Sequence, residues 1–181
     1  MEPTTPVFCL RACGKEAFAC ATTAFVRQHL PHLVPAWSLD EVWAIVLLQQ
    51  ATVPLEDITP TTAAEKQRLR REFISFGFAL AFTLQTQGFA TEVFDPRSAF
   101  PLLSPPGELR HNDVRAAANL PAMQIQPGVC PLLVHPIWGT AVYPATILTA
   151  APPPACEPVL QAIAQSHGWP DLQLERTEAT L

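Results

Sequence analysis

The sequence predicts an α+β fold, in which a mixed or antiparallel sheet packs against one long central helix. Three observations carry this expectation. Short apolar runs and segments of helical period alternate in the order strand, helix, strand, long helix, strand, loop, two strands, helix. The segment from Thr62 to Gly88 has the strongest helical periodicity. No internal repeat and no long linker divides the chain, so residues 1–181 are expected to form one domain, with 170–181 as a frayed polar tail.

Composition agrees with a packed core. Hydrophobic residues make up 49% of the 181 positions and charged residues 15%, unlike the apolar-poor, charge-rich balance of disordered chains. A net charge of −5 and a pI near 5.5 speak against the basic stripe of a dedicated nucleic-acid binder. No run of about 18 apolar residues is present, so a membrane span is not expected. Met1–Pro6 lacks the regions of a secretory signal, and the chain reads as cytoplasmic. Five cysteines, an odd count without tight spacing, predict free thiols rather than a disulfide framework.

Residues 7–12 (VFCLRA) predict a short strand ended by Gly14. Residues 15–30 bring Phe18, Cys20, Ala21, Phe25 and Leu30 within one helical face, and Pro31 is expected to stop that helix. Val42–Gln50 is a continuous apolar run of the length and branching expected for a buried strand, although Ser38 with Glu41 also fits a capping box. In the long helix, Thr62 is the expected N-cap with Glu65 three residues on. Leu69, Phe73, Phe76, Leu80 and Leu84 form its apolar stripe. Ile74, Phe78 and Phe82 add a second, so its C-terminal half is expected in the core. Gly88 suits a left-handed stop with Phe89 packing back.

Phe89–Phe94 predicts a strand closed by Asp95-Pro96. Residues 97–128 are mostly loop, with a short helix at Asp113–Leu120 capped by Asp113. Pro131–Val134 and Thr140–Thr149 predict two strands flanking His135-Pro136-Ile137-Trp138-Gly139, with Pro144 marking an edge or bulge. Pro152-Pro153-Pro154 forms a hinge before a helix at Glu157–His167, stopped by Gly168.

Few motifs carry chemistry. Cys9, Cys13 and Cys20 lack the second cysteine pair of a structural zinc site and read as small buried side chains. Seven glycines form no phosphate-binding loop, and no nucleophile elbow occurs. His111-Asn112-Asp113 reads as a solvated, helix-capping turn. His29 and His32 read as helix-end residues. The segment Pro127–Thr140 is different, because it concentrates Cys130, His135, Trp138 and Gly139 between strands. Cys130 follows a turn signal and precedes a proline, which suits an accessible thiol at a strand end. An odd spacing would put Cys130 and His135 on opposite faces of a regular strand, so a Cys–His dyad is not the natural reading. By residue type alone, a core Cys130 beside a hairpin closed by His135 and Trp138 is the favoured reading.

From about Phe73 to Ile163 the chain resembles the methylmalonic aciduria and homocystinuria type D protein family (MMADHC) of cobalamin trafficking. The resemblance rests on FALAFTLQTQGFATEVFDPRSAF, on His135, Trp138, Gly139 and Thr140 as an H-x-x-W-G-T motif, and on the strand Ala141–Thr149 with the helix after it. It implies a fold similar to the flavin nitroreductases. It implies a non-enzymatic adapter that binds a cobalamin-processing or cobalamin-dependent protein and holds no cofactor tightly, meeting cobalamin or another corrinoid through that partner. Neither nucleic acid nor membrane is an expected partner, and a homodimer is left open.

The resemblance also places Val129, Cys130, His135, Trp138, Gly139 and Thr140 at the cofactor, with Cys130 as the metal ligand. Animal members carry two adjacent cysteines, the first of which binds cobalt. Here that first position is Val129, and Cys130 matches the second. On a strand, the one-residue shift would turn the thiol to the other face. Animal members also carry a targeting extension that this chain lacks, which fits a compact cytosolic version. The alternatives are an interaction or assembly module without cobalt chemistry and, on fold analogy alone, a flavin-dependent reductase. Against the reductase, only Arg97, Arg110, Arg115 and Arg176 follow residue 90 to hold a flavin phosphate.

Overall fold

The computed structural model describes residues 5–128 and 130–177. Strands β1 (Phe8–Ala12), β2 (Lys15–Ala21), β3 (Trp43–Gln50), β4 (Thr91–Val93), β7 (Val142–Thr149) and β8 (Gln173–Arg176) form a six-stranded sheet in the order β4-β7-β3-β2-β1-β8. Every pairing in it is antiparallel. Strands β5 (Gln124–Gln126) and β6 (Leu132–Val134) form a separate antiparallel pair.

Both faces of the large sheet are covered. On one face Leu10, Ala17, Ile45, Leu47 and Ile147 pack beneath α2 (Pro60–Thr86) and α4 (Pro153–Ser166). On the other, Cys9, Phe18, Cys20, Val46 and Leu148 pack beneath α1 (Ala24–Leu33) and α3 (Asp113–Ala117). The expected α+β sheet is thus antiparallel throughout. The long helix is not a single central one, because it shares its face with α4 and the opposite face has helices of its own.

Burial on both faces also explains a correction. Residues 15–21 form β2, not the start of a helix. Ala17 and Ala19 face one layer while Phe18 and Cys20 face the other, so positions 17–20 are all apolar and the period of two vanishes from that stretch of the sequence. The same two-sided burial makes β3 a continuous apolar run, as expected for a buried strand. Helix α1 begins only after Thr23, whose side chain caps it. Pro31 does not stop α1 but bends it, with His29 at φ −118° and ψ 15° inside the helix.

The N-cap of α2 is Thr59 rather than Thr62. The Thr59 hydroxyl accepts from the Thr62 N–H at 3.1 Å, and the Thr62 hydroxyl accepts from the Thr59 N–H at 3.0 Å. Glu65 instead binds the Thr52 N–H and the Arg68 guanidinium. Leu69, Phe73, Phe76, Leu80 and Leu84 are buried as the stripe requires. The C-terminal half is not wholly in the core, since Phe82 remains 51% exposed. Gly77 lets α2 approach β4 closely, because a Cβ there would lie 3.0 Å from Val93 Cγ1. Gly88, at φ +90°, ends the helix as expected.

Helix α3 is capped by Asn112, not by Asp113. Helix α4 starts at Pro153, with prolines in its first turn where no N–H is needed. Pro144 lies in β7 opposite Leu48. The Thr146 carbonyl accepts from Phe94 N–H, so the same-phase residue Pro144 turns its missing N–H to the β4 side, just past the end of β4. Residues 173–176 do not fray, because they pair with β1 from Phe8↔Arg176 to Arg11↔Gln173.

Candidate functional site

Cys130 lies in the loop between β5 and β6, immediately before Pro131. Its thiol is exposed, as is that of Cys13. Cys9, Cys20 and Cys156 are buried, and burial pushes each of these thiols up to about 12. Cys130 is therefore a presented sulfur rather than the core residue favoured by residue type. It borders a cavity of about 600 Å³ that Thr140 also lines.

The expected hairpin between 131–134 and 140–149 does not form. β6 pairs with β5, and β7 belongs to the large sheet. His135 and Gly139 instead close a tight turn through reciprocal backbone hydrogen bonds of 2.8 and 2.9 Å. Gly139 takes φ +58°, a value open to glycine without steric cost. His135 is 2% exposed. Its Nδ1 accepts the N–H groups of Ile137 and Trp138, both at 3.1 Å. Nε2 then carries the proton and donates to Glu16 on β2 at 3.3 Å. The Trp138 ring stacks on His135 with centroids 3.9 Å apart. The motif therefore builds a rigid turn: the Thr140 hydroxyl donates to Glu56 at 2.6 Å, and Leu55 N–H donates to the Thr140 carbonyl at 3.2 Å. Cys130 and His135 do not meet, and His135 lines a different cavity. Val129 lies outside the described residues.

The cavity beside Cys130 brings in residues that sequence reasoning passed over. Lys66 and Arg70 come from α2, Arg97 from the turn after β4, His111 and Asp113 from the start of α3, and Tyr143 from β7. The expected solvated turn at 111–113 is corrected, because His111 is 5% and Asp113 9% exposed. Burial lowers His111 to about 4 and raises Asp113 to about 7. His111 Nε2 lies 3.5 Å from Asp113 Oδ1, too far for a hydrogen bond. Asp95 anchors the turn. Its carboxylate accepts from Arg70 at 2.6 and 3.0 Å, from Arg97 N–H at 3.1 Å and from the Ser98 hydroxyl at 3.0 Å. Burial opposes its ionisation, yet these donors hold it down at about 2. Ala99, at φ +64°, then turns the chain so that its carbonyl receives His111 N–H at 2.9 Å. The legible signal was Asp95-Pro96-Arg97-Ser98. Its link to Arg70, 25 residues earlier, was not.

Fold and site together define a class: an antiparallel α+β protein, helices on both faces, that presents one thiol at the rim of a cation-lined cavity. No helix of the described residues is long and apolar enough to cross a membrane. Residues 12–160 match the family described as methylmalonic aciduria and homocystinuria type D protein. The chain belongs to that family, which ties it to cobalamin metabolism. No curated protein matches it.

Proposed function

We propose that the chain is a non-enzymatic adapter in cobalamin trafficking, which binds a cobalamin-processing or cobalamin-dependent protein and offers the Cys130 thiolate to the cobalt of the partner-held corrinoid. The observation that carries this reading is the exposure of Cys130 at the rim of an open cavity. A soft thiolate suits a late transition metal, and it must be reachable to act as a ligand. Because Cys130 lies in a loop and not on β6, the strand-face reversal relative to Val129 does not bind it. His135, Trp138 and Gly139 serve by holding the turn that carries Thr140 to the cavity Cys130 borders. Among the described residues, no three His, Cys, Asp or Glu side chains gather to hold a metal ion, so the contact offered is a single sulfur. The likeness to flavin nitroreductases belongs to this same reading.

The test adds the full chain to aquacobalamin, free and bound to a cobalamin-processing protein, and follows the visible spectrum. A shift that Cys130→Ser abolishes and Cys13→Ser leaves intact is expected. An unchanged spectrum in both arms would remove cobalt ligation. The second reading, an interaction module of the same fold, would then stand on Val129 at the family's ligand position.

A further inference from the structure

We infer that the cavity behind Cys130 is a binding site for a small molecule with an oxyanion head, a phosphate or a carboxylate, held by Lys66 and Arg97 beside the buried His111 and Asp113. The inference does not depend on the trafficking reading. At about 600 Å³ the cavity falls in the range of small-molecule sites, roughly 300–1,000 Å³.

Charge selects the class of ligand. Arg70 is neutralised by Asp95. Lys66 and Arg97 also line the cavity, and neither has an ion-pair partner among the described residues. Lys66 is one of only two lysines in the chain. The one carboxyl in the lining, Asp113, is held up to about 7 by burial. Near neutrality it therefore offers an O–H donor for much of the time rather than a fixed negative charge.

A second, independent observation points to a missing partner. Both ring nitrogens of His111 and Oδ1 of Asp113 are buried without a hydrogen-bond partner among the described residues. A neutral imidazole always carries one N–H, and buried donors are almost always paired. An oxyanion entering between the cations accepts from that N–H. Apolar walls from Leu55, Leu132, Val142 and Pro144 suit the body of an organic molecule. Cations from α2 and from the turn after β4 meet here only through the fold, which is why a count of arginines beyond residue 90 includes Arg97 but not Lys66.

Isotope-labelled full-length chain is titrated with inorganic phosphate and, separately, with succinate, at ionic strength fixed with sodium chloride. Amide shifts are read by two-dimensional NMR. Saturable shifts at Arg97, His111 and Asp113 are expected, and the anion that saturates at lower concentration identifies the head group. The Lys66→Gln/Arg97→Gln variant should bind at least tenfold more weakly with an unchanged melting temperature. Cys13→Ser, at an exposed thiol outside the cavity lining, should bind like the parent. Absence of saturable shifts with both anions would mean a cavity filled by water alone, and would overturn the inference. So would shifts that persist in the double variant.

Discussion

Sulfur environment separates the five cysteines at the scale of single residues. Cys9 and Cys20 lie under α1, and Cys156 lies on the buried face of α4, where burial keeps them as thiols. Only thiolates react readily. Brief treatment of the native chain with iodoacetamide should therefore label Cys13 and Cys130 and spare the other three, as peptide mass spectrometry would show. Labelling of Cys20 at the rate of Cys130 would contradict the packing described. His111 and Asp113 make a second prediction. Between about pH 4 and 6.5 the unfolded chain carries one proton on this pair, on the histidine. In the folded chain burial lowers His111 to about 4 and raises Asp113 to about 7, so the single proton sits on the carboxyl. Folding moves no net proton, and the pair gives no pH slope in that window. Asp113→Asn breaks the balance. The unfolded histidine then gains a proton that the folded one refuses, so stability is lost as pH falls from about 6.5 towards 4, by at least about 1 kcal/mol. Urea midpoints at pH 7 and pH 4.5, variant against parent, read the difference.

At the scale of elements, a long helix is legible where one of its faces is wet. The α2 stripe from Leu69 to Leu84 announces itself because Arg68, Lys66 and Arg71 alternate with it. β2 does not, because both its faces are dry and its alternation is of size, Ala against Phe and Cys, rather than of polarity. The tie between α2 and the turn after β4 is a long-range ion pair, Arg70 to Asp95, with the carboxylate 5% exposed. Arg70→Ala leaves that carboxylate without its cation. The cost of breaking a buried pair is about 3–5 kcal/mol, and the partial exposure of Arg70 lowers the expectation to about 2 kcal/mol. The sign of the acid response follows. Asp95 titrates near 2 when folded, below its unfolded value, so its stabilisation is complete above about pH 4 and is lost as pH falls through 2. Without Arg70 the folded pKa rises and acid unfolding should begin at higher pH, which circular dichroism against pH would follow. Gly77→Val tests the close approach of α2 to β4. The added Cβ alone would sit 3.0 Å from Val93 Cγ1, closer than van der Waals contact, and overpacking of this kind costs about 1–3 kcal/mol, seen as a lowered melting temperature.

For the whole molecule, the sheet is the frame, and its order explains why the site was only half legible. The loop thiol and the H-x-x-W-G-T turn are local, so the segment Pro127–Thr140 stands out by composition, although residue type alone favours a core Cys130 and only the family resemblance points to its thiol. The cavity wall joins α2, the turn after β4, α3 and β7. No local pattern announces that these segments, together with Leu55 and the Cys130–Leu133 stretch, converge. The C-terminal residues show the same limit. Gln173–Arg176 alternates weakly and reads as a polar tail, yet the open edge of β1 gives it a ladder to join. Leu174 and Leu172 reach the core under α4, and Arg176 reaches Glu157 at the start of that helix at 2.5 Å. Deleting residues 172–181 would strip these contacts and bare the backbone of β1. Losing two half-buried leucines costs about 1–3 kcal/mol by area, while the exposed Arg176–Glu157 pair adds little. The bared edge should also promote pairing between copies. A lowered melting temperature together with a concentration-dependent shift in gel filtration is the expected outcome. A truncated chain that melts with the parent and elutes unchanged would show that β8 merely rests on the sheet.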